Sequence, residues 1–376
     1  MNCYTSGKFI SWEWWHLLLL FAVVDAVVSQ SIIQTLPGYP GILPIKLETG
    51  YVSVGEVDEV QLFYYFVESE RNPVKDPLVL WLTGGPGCSA FSGLVYEIGP
   101  LMFDIPAFNG SSPSFHLNPY SWTKVANIIF LDAPVGTGFS YATTSEGYYS
   151  SDTKSAKDIY TFLRKGYMLG NPGTDIHMDK NAGVAYAHRV GLISDEYYQS
   201  AKRSCHGEYV SPDPNNAECI YYLQLIKEDD NYVTCYVWAN DPTVREALHI
   251  RDGTKSEWRR CNKSLSYDEE IASVVEYHRL LSKKGYRVLI YSGDHDMAIP
   301  YVGTVAWINS LNLTIDDNWR PWFVNGQVAG FTERYTENSI YSLTFATVKG
   351  GGHTAPEYKP KECLAMVDRW LSFYLL

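Results

Sequence analysis

A pair of carboxylates and then a histidine, each directly behind an apolar run, constrain the fold of this chain more than any other feature. Asp294 and Asp296 follow the run at residues 286–291, and His353 follows three glycines behind the run at residues 343–349. Glycines at such a point let the backbone approach a ligand closely. Polar loops behind successive apolar runs are typical of parallel strands, whose carboxyl ends share the sheet edge where ligands bind.

Apolar runs alternate with helical patterns along most of the chain. The runs at residues 50–54 and 60–67 predict an antiparallel hairpin, and those at residues 77–82 and 127–131 are typical of buried parallel strands. Further strands are predicted at residues 166–170, 286–291 and 343–348, a hairpin at Asn325-Gly326, and helices at residues 152–165, 268–284, 301–310 and 361–373. This alternation predicts a mainly parallel sheet that helices cover on both faces.

The order of an acid followed by a histidine, each behind a strand, is the second half of the Ser, Asp, His order of α/β-hydrolases. We therefore predict an α/β-hydrolase fold over residues 30–376. Residues 175–240 are polar, helical in pattern and cysteine-bearing, and we expect them to form a helical cap inserted into this domain.

His353 is the candidate general base, because imidazole can take up a hydroxyl proton near neutral pH. A carboxylate would orient the ring and stabilise the imidazolium, and the spacing leaves both Asp296 and Asp294 as candidates. The glycine-rich turn at residues 84–87 directly follows the run at residues 77–82. Its backbone N–H groups could stabilise an oxyanion.

A nucleophilic serine should precede these residues on a tight strand-to-helix turn of the form Gly-x-Ser-x-Gly. The nearest match surrounds Ser140, but it follows a loop broken by proline and glycine, and the next predicted helix begins well downstream. Ser89 follows a strand, yet it stands too close to the oxyanion turn in sequence to act across it. Neither serine is therefore expected to be the nucleophile.

The N-terminal residues predict entry into the secretory pathway. An apolar run at residues 16–24 lies between Lys8 and the small residues Ala26 and Ser29, so we expect a signal peptide over residues 1–29. A signal anchor is the alternative, although the run is short for a membrane span. After cleavage we expect no stable membrane association and an extracellular or vacuolar location.

Cysteines and sequons support entry into the secretory pathway. Of the seven cysteines only Cys3 lies in the predicted signal, and the even remainder predicts disulfides. No Cys-x-x-Cys pair occurs, so we expect no metal site, and nothing indicates a cofactor. Sequons at Asn109, Asn262 and Asn312 predict glycosylation. The net charge of −12 argues against a nucleic-acid partner, and the oligomeric state is left open.

Several motifs together resemble the plant serine carboxypeptidase-like proteins of peptidase family S10. They cover nearly the whole mature chain, at residues 80–89 (LWLTGGPGCS), 96–100 (YEIGP), 129–141 (IFLDAPVGTGFSY), 238–241 (WAND), 258–262 (WRRCN), 291–296 (YSGDHD) and 350–356 (GGGHTAP). The resemblance implies an α/β-hydrolase fold with a cap insertion. It also implies that Asp296 is the catalytic carboxylate, that His353 is the base, and that Gly85, beside Gly84, donates to the oxyanion.

The same resemblance implies a pairing of the cysteines. Disulfides are expected to join Cys88 to Cys261 and Cys205 to Cys219, and the resemblance assigns no partners to the two cysteines that remain, Cys235 and Cys363.

The chain departs from the family at the nucleophile. The family motif Gly-[Glu/Asp]-Ser-Tyr-[Ala/Ser]-Gly belongs between the helix that ends near Lys165 and the strand that begins at Gly166, but here the two residues are joined directly. A second, smaller gap falls near residues 228–229. The flanking motifs are intact, as after exon skipping or in a faulty gene model. We therefore predict that the central nucleophile strand and its elbow are missing.

A second departure concerns the substrate. Thr83 stands where the peptidases of the family use an asparagine to bind the terminal carboxylate of a peptide, although Glu97 matches one of the acids that accompany it. Threonine lacks the amide donors of asparagine. Threonine or serine at this place resembles the acyltransferase branch, which moves an acyl group from a glucose ester to an acceptor. The resemblance thus implies a glucose ester, or else a peptide, as the substrate of the parent family.

These observations leave three interpretations of function. The family chemistry is acyl transfer or C-terminal peptide hydrolysis through an acyl-serine, and loss of the serine removes that covalent step. The chain could instead be a non-catalytic secreted isoform that binds a ligand, or a non-functional splice or gene-model product. For this polypeptide we favour the second and third interpretations, and for the family we favour acyl transfer over peptide hydrolysis.

Overall fold

A computed structural model describes the chain over residues 29–55, 59–105, 113–160, 167–170, 173–189, 195–210, 212–224, 233–337 and 341–376. Three features named above lie outside these residues: the sequon at Asn109, the Lys165-Gly166 junction and the second gap at residues 228–229. The predicted signal peptide also lies outside them, except for Ser29.

Strands and helices alternate through the described residues. The strands are β1 (Ser29–Ile33), β2 (Leu47–Val54), β3 (Val60–Val67), β4 (Leu78–Trp81), β5 (Leu101–Phe103), β6 (Phe115–Leu117), β7 (Asn127–Leu131), β8 (Tyr141–Ala142), β9 (Ser150–Ser151), β10 (Tyr167–Gly170), β11 (Tyr267–Asp268), β12 (Arg287–Gly293), β13 (Thr314–Val324), β14 (Gln327–Glu337) and β15 (Tyr341–Val348). The α-helices are α1 (Asp152–Tyr160), α2 (Ile176–Arg189), α3 (Asp195–Cys205), α4 (Ala217–Gln224), α5 (Val233–Asn240), α6 (Pro242–Ala247), α7 (Val275–Ser282), α8 (Tyr301–Ser310), α9 (Ala355–Tyr358) and α10 (Pro360–Leu371). A short π-helix spans Gly93–Glu97, and 3-10 helices span Trp122–Lys124 and Glu146–Tyr148.

The first sheet follows the order β1-β2-β3-β7-β4, and β8 also pairs with β3. β2 and β3 form the predicted antiparallel hairpin, with Leu47 opposite Val67. Alternate residues of β3 enter two different cores, Phe63 one and Leu62 the other. A strand whose side chains are buried on both faces needs a continuous apolar run, which is what β3 carries.

The second sheet follows the order β10-β12-β15-β14-β13. β10, β12 and β15 are parallel, so Gly293 and Val348 lie side by side at the carboxyl edge. β14 and β13 complete the sheet as an antiparallel hairpin around Asn325 and Gly326, whose φ angles are 49° and 75°. Positive φ at both positions is what a two-residue Asn-Gly turn supplies, and the predicted hairpin is confirmed.

Among the described residues, the strands thus form two large sheets rather than one continuous sheet, and β5-β6 and β9-β11 form two further two-stranded sheets. Among the described strands β4 pairs with β7 alone, and β10 pairs with β12 alone. The prediction that residues 77–82 form a fully buried strand is wrong, because Leu78 and Leu82 are 51% and 44% exposed. An apolar strand needs neighbours on both edges and both faces to be fully buried, and β4 has a strand on one edge only.

A common core joins the two sheets. One cluster of buried side chains contains Phe63 and Ile128 of the first sheet together with Leu289 and Ala346 of the second. Trp122 packs edge-on against both sheets, with its ring centroid 5.7 Å from that of Trp81 and 6.4 Å from that of Tyr291. In the part of the chain that the structure describes, side-chain packing rather than a shared strand connects the two large sheets.

The helices agree with the sequence in most places. α8 has the predicted bounds, α10 begins one residue early, and α1 is described as far as Tyr160. The helix predicted at residues 268–284 is shorter, because Asp268 belongs to β11, where it pairs with Ser151 of β9. The helix begins only at Val275. Four helices, α2 to α5, lie in the described part of residues 175–240, where a helical cap is predicted, and α6 follows them. Within the described residues, no helix is both long and apolar enough to cross a bilayer.

Candidate active site

The loop behind β12 fixes a buried carboxylate. Asp296 is 1% exposed, and its Oδ1 accepts hydrogen bonds from the backbone N–H groups of Ala298, at 2.8 Å, and Ile299, at 3.1 Å. Gly293 lies so close to the next loop that a Cβ there would stand 2.3 Å from the carbonyl oxygen of Gly351. The glycine is thus required for the loops behind β12 and β15 to touch.

The same contact brings the histidine to the acid. His353 Nδ1 lies 2.9 Å from Asp296 Oδ2, and the histidine side chain is 53% exposed while the carboxylate is fully buried. Asp294 has a different task, because its Oδ1 accepts the backbone N–H of Gly350 at 2.6 Å. Of the two carboxylates that the spacing left open, Asp296 contacts the ring and Asp294 holds the glycine loop in front of it.

Charges around the ring change its pKa. Burial lowers the pKa of His353, but the hydrogen bond and charge of Asp296 and the charge of Glu97 raise it, so that the net pKa lies above the ordinary value. The charge of Arg260, like burial, lowers the pKa of His353. The ring is therefore a stronger base than free histidine, which is the direction that the predicted role of general base requires.

Glu97 lies on the other side of the site, at the end of the π-helix. Burial raises the pKa of Glu97 to about 7, and the nearby carboxylate of Glu357 adds to the increase, while Arg260 and His353 oppose it. α9, which begins two residues after His353, packs against the π-helix. The predicted substrate-binding acid and the predicted base thus belong to one site.

A disulfide connects the glycine-rich turn with this site. Cys88 is bonded to Cys261, next to Arg260, and the Ser89 N–H donates to the Arg260 carbonyl at 2.7 Å. A second disulfide joins Cys205 to Cys219. Both pairings implied by the family resemblance are confirmed.

Among the described residues, Cys235 and Cys363 are the cysteines that form no disulfide, and both thiols are buried. Burial raises the pKa of the Cys235 thiol to about 11, and it raises the pKa of the Cys363 thiol further. Both therefore remain protonated at neutral pH.

The predicted oxyanion turn is open to solvent. Gly84 and Gly85 are exposed, and a Cβ on Gly84 would meet no atom within 4 Å. Thr83 turns its hydroxyl towards Trp81, whose indole N–H donates to it at 3.2 Å. The turn can therefore present backbone N–H groups to a ligand without an obstructing side chain.

Neither serine considered as a nucleophile reaches the histidine. Ser89 is fully buried and donates to Asp132 Oδ1 at 2.6 Å. Ser140, also fully buried, donates to the backbone carbonyl of Asp132 at 2.6 Å and accepts the N–H of Phe63 at 2.7 Å. Both hydroxyls serve structural hydrogen bonds, in agreement with their rejection on sequence grounds.

Sequence reasoning missed two groups of the site. Tyr186 of α2 donates its hydroxyl to the carbonyl of Asp294, and α2 packs against α8 behind the acid loop. Glu357 follows His353 by four residues, and its Oε2 accepts the hydroxyl of Thr354 at 2.6 Å. Glu357 could have been found as the acid directly behind the histidine motif, whereas no motif marks Tyr186.

The predicted sequons differ in their surroundings. Asn312 is exposed on the turn between α8 and β13. The side-chain amide of Asn262 donates to the carbonyl of Gly136 at 3.1 Å. The described residues contain no group of three or more His, Cys, Asp or Glu that could hold a metal ion.

Comparison with known proteins places this chain in a family. A family model described as serine carboxypeptidase matches residues 37–165, 165–236 and 224–373. Serine carboxypeptidase-like 2 of Arabidopsis thaliana is 43% identical over 441 residues, which cover 98% of this chain and 99% of the relative. Serine carboxypeptidase-like 4 of the same plant is 45% identical over 426 residues, which cover 95% and 96%.

A solved structure shares the fold. Kex1(delta)p, a prohormone-processing carboxypeptidase from Saccharomyces cerevisiae, matches with a TM-score of 0.66 at 18% identity, over 88% of this chain and 92% of that chain. The likeness shows an α/β-hydrolase fold. Together with the matches to the family model and to the plant proteins, it establishes that the chain belongs to the serine carboxypeptidase family and is related to the plant serine carboxypeptidase-like proteins.

Proposed function

We propose that this chain is a secreted serine carboxypeptidase-like protein that has lost the acyl-serine chemistry of its family and retains a ligand-binding site. The proposal rests on the hydrogen bonds of the dyad formed by His353 and Asp296. His353 is hydrogen-bonded to Asp296 through Nδ1, and within the described residues no hydroxyl is hydrogen-bonded to its other ring nitrogen. In triad enzymes that nitrogen takes the proton of the nucleophilic serine.

The comparisons support loss of the segment that carries the serine. Two stretches of the family match meet at residue 165, which is the predicted junction. The alignment with serine carboxypeptidase-like 2 spans 441 positions, although this chain has only 376 residues and covers 99% of that relative. Several dozen positions of the relative therefore have no counterpart in this chain.

The sheets support the same proposal. β4 and β10 each have one unpaired edge among the described strands, and β4 exposes apolar side chains at Leu78 and beyond its end at Leu82. A strand between β4 and β10 would join the two sheets and cover these residues. The nucleophile strand is the one that the junction removes.

The remaining site suits an ester better than a peptide terminus. The hydroxyl of Thr83 is engaged by Trp81, and threonine offers no amide donor for a terminal carboxylate. Glu97, with a pKa of about 7, is partly protonated at neutral pH and can donate to a sugar hydroxyl or a carbonyl oxygen. We therefore propose a glucose ester as the ligand, as in the acyltransferase branch.

Secretion is part of the proposal. The disulfides Cys88–Cys261 and Cys205–Cys219 support an oxidising compartment, because such bonds persist in secreted proteins and are rare in the cytosol. The proposed signal peptide would direct the chain there, and the extracellular space or the vacuole would be its destination.

The test compares this chain with a repaired one. The chain is expressed in a secretory host and incubated with 1-O-benzoyl-glucose and an acceptor alcohol, or with a blocked dipeptide, while calorimetry measures binding of the glucose ester. A matched variant carries, between Lys165 and Gly166, the segment that serine carboxypeptidase-like 2 has there. We expect binding by both proteins but acyl transfer by the repaired variant alone. Acyl transfer by the unrepaired chain would contradict the proposal.

The alternative of a non-functional product has its own supporting observation, the exposed apolar edge of β4. Near-UV circular dichroism separates the two interpretations. A folded isoform shows fixed aromatic signals from buried side chains such as Trp122 and Trp258, whereas a collapsed chain without specific packing loses them.

A further inference from the structure

His353 and Asp296 together can accept a proton without a serine. Asp296 is buried and held by two backbone N–H groups, so its carboxylate orients His353 firmly. The imidazole is 53% exposed, and within the described residues no hydrogen bond joins its Nε2 to a hydroxyl. An oriented, half-exposed imidazole can accept a proton from water as well as from a serine.

We propose that this chain hydrolyses esters directly with water, with His353 as general base and without an acyl-enzyme. The inference rests on the proposed function, because a serine on Nε2 would take the place of the water. The substrate class is a small carboxylic ester with an alcohol or sugar leaving group.

The proposed reaction needs no partner besides water. Nε2 takes one proton from a water molecule as its oxygen forms a bond to the carbonyl carbon, and the carbonyl π electrons move onto the carbonyl oxygen. When this intermediate collapses, the bond between carbon and the leaving alkoxide breaks, and the imidazolium returns the proton to the alkoxide. The products are a carboxylic acid and an alcohol, and His353 is regenerated.

The turn at Gly84 and Gly85 is the candidate donor to the negative oxygen. It is exposed, and the Cys88–Cys261 disulfide ties it to the segment that carries Arg260, whose charge acts on His353. Preorganised backbone N–H groups stabilise a developing oxyanion whether a serine or a water oxygen attacks. This part of the family's machinery therefore serves the water route unchanged.

The charged groups that face the ring are Asp296, Glu97 and Arg260, and together with burial they set its pKa above the ordinary value. The rate should rise with pH as His353 loses its proton and then reach a plateau. Asp296→Asn should lower the apparent pKa of the rate profile, because it removes the largest of the influences that raise the pKa, and it should lower the plateau as well.

The test follows hydrolysis of ethyl dichloroacetate by proton release in a pH-stat. Ethoxide is a poorer leaving group than imidazole, so direct attack by the ring nitrogen would reverse and only attack by water yields product. His353→Gln removes the base, and His116→Gln, which replaces an exposed histidine on β6, is the matched control. A positioned general base contributes roughly 100- to 10,000-fold, so we expect at least a tenfold fall in His353→Gln and no change in His116→Gln.

The same assay is repeated after treatment with a fluorophosphonate, which labels activated serines. A rate that falls in His353→Gln and is unaffected by the reagent supports the inference. Equal rates in the wild-type chain and His353→Gln overturn the inference and leave the proposed function intact. A rate that the reagent abolishes overturns both, because it shows a serine nucleophile. Near-UV circular dichroism of each variant establishes that a lost rate is not a lost fold.

Discussion

At the scale of single residues, the buried carboxyl of Glu97 couples stability to pH. Burial raises its pKa from 4.5 to about 7. The folded state therefore binds the proton more tightly than the unfolded chain does, so the residue contributes stability that is complete below pH 4.5 and is lost as the pH rises through about 7. At alkaline pH the ionised carboxylate of Glu97 no longer stabilises the folded state.

Replacing this residue should flatten the pH profile. The contribution of Glu97 to the unfolding free energy of the wild-type chain should fall by about 2 kcal/mol between roughly pH 5 and pH 8, since one pKa unit corresponds to about 1.4 kcal/mol. Glu97→Gln should not show this fall. Urea unfolding at the two pH values measures the difference, and Glu218→Gln on the exposed face of α4 is the control. If the unfolding free energies of the Glu97 variant and the wild-type chain vary with pH in parallel, the residue is not held in the buried state described.

Sequence reasoning could go only part of the way at this scale. It predicts the histidine and two candidate acids, because loops behind parallel strands meet at one edge. It cannot choose between Asp294 and Asp296, which are two positions apart on one loop. The choice depends on backbone donors, those of Ala298 and Ile299 for one acid and that of Gly350 for the other.

At the scale of elements, β4 is the strand whose surroundings differ most from its sequence. An apolar run predicts burial, but burial depends on neighbouring strands that the run itself does not contain. Leu78 is 51% exposed, whereas Ile128, opposite Val79 on the paired strand β7, is fully buried. The sequence of β4 thus suits a centre strand, while its position among the described strands is an edge.

An exposed apolar edge should promote self-association. We expect Leu78→Lys to reduce aggregation, measured by light scattering, and to change the unfolding free energy by no more than about 0.5 kcal/mol, as exposed substitutions do. Ile128→Lys is the matched change on the buried strand and should prevent folding. Strong destabilisation by Leu78→Lys would show that the edge is covered.

Trp122 packs against residues of both large sheets. Its ring contacts Trp81 on one side and Tyr291 on the other, and it is 1% exposed. Trp122→Ala should lower the unfolding free energy by about 3–5 kcal/mol, as for other buried large-to-small changes. Trp319→Ala, which removes a 43% exposed ring stacked on Phe331, should have a much smaller effect. Equal losses in chemical denaturation would argue against the link.

At the scale of the whole molecule, the two disulfides differ in what they constrain. Cys88–Cys261 spans 173 positions of sequence and Cys205–Cys219 spans 14. In the chain-entropy account, a bond that closes a longer loop removes more freedom from the unfolded state, about 4.7 kcal/mol for 100 residues against about 3 for 15.

Removing the longer-range bond should therefore be the more damaging change. Cys88→Ser with Cys261→Ser should lower the midpoint of thermal unfolding more than Cys205→Ser with Cys219→Ser. The longer bond also ties the glycine-rich turn to Arg260, so its loss should weaken binding of the glucose ester, measured by calorimetry. An identical midpoint in the two double variants would contradict this order.

We propose that no serine nucleophile acts on His353 in this chain. The direct measurement is the intact mass of the folded, secreted protein after incubation with a fluorophosphonate, beside the variant repaired between Lys165 and Gly166. We expect an unchanged mass for this chain and one adduct on the repaired variant, which His353→Gln should block. A stoichiometric adduct on a serine of the unrepaired chain would contradict it and would identify the nucleophile.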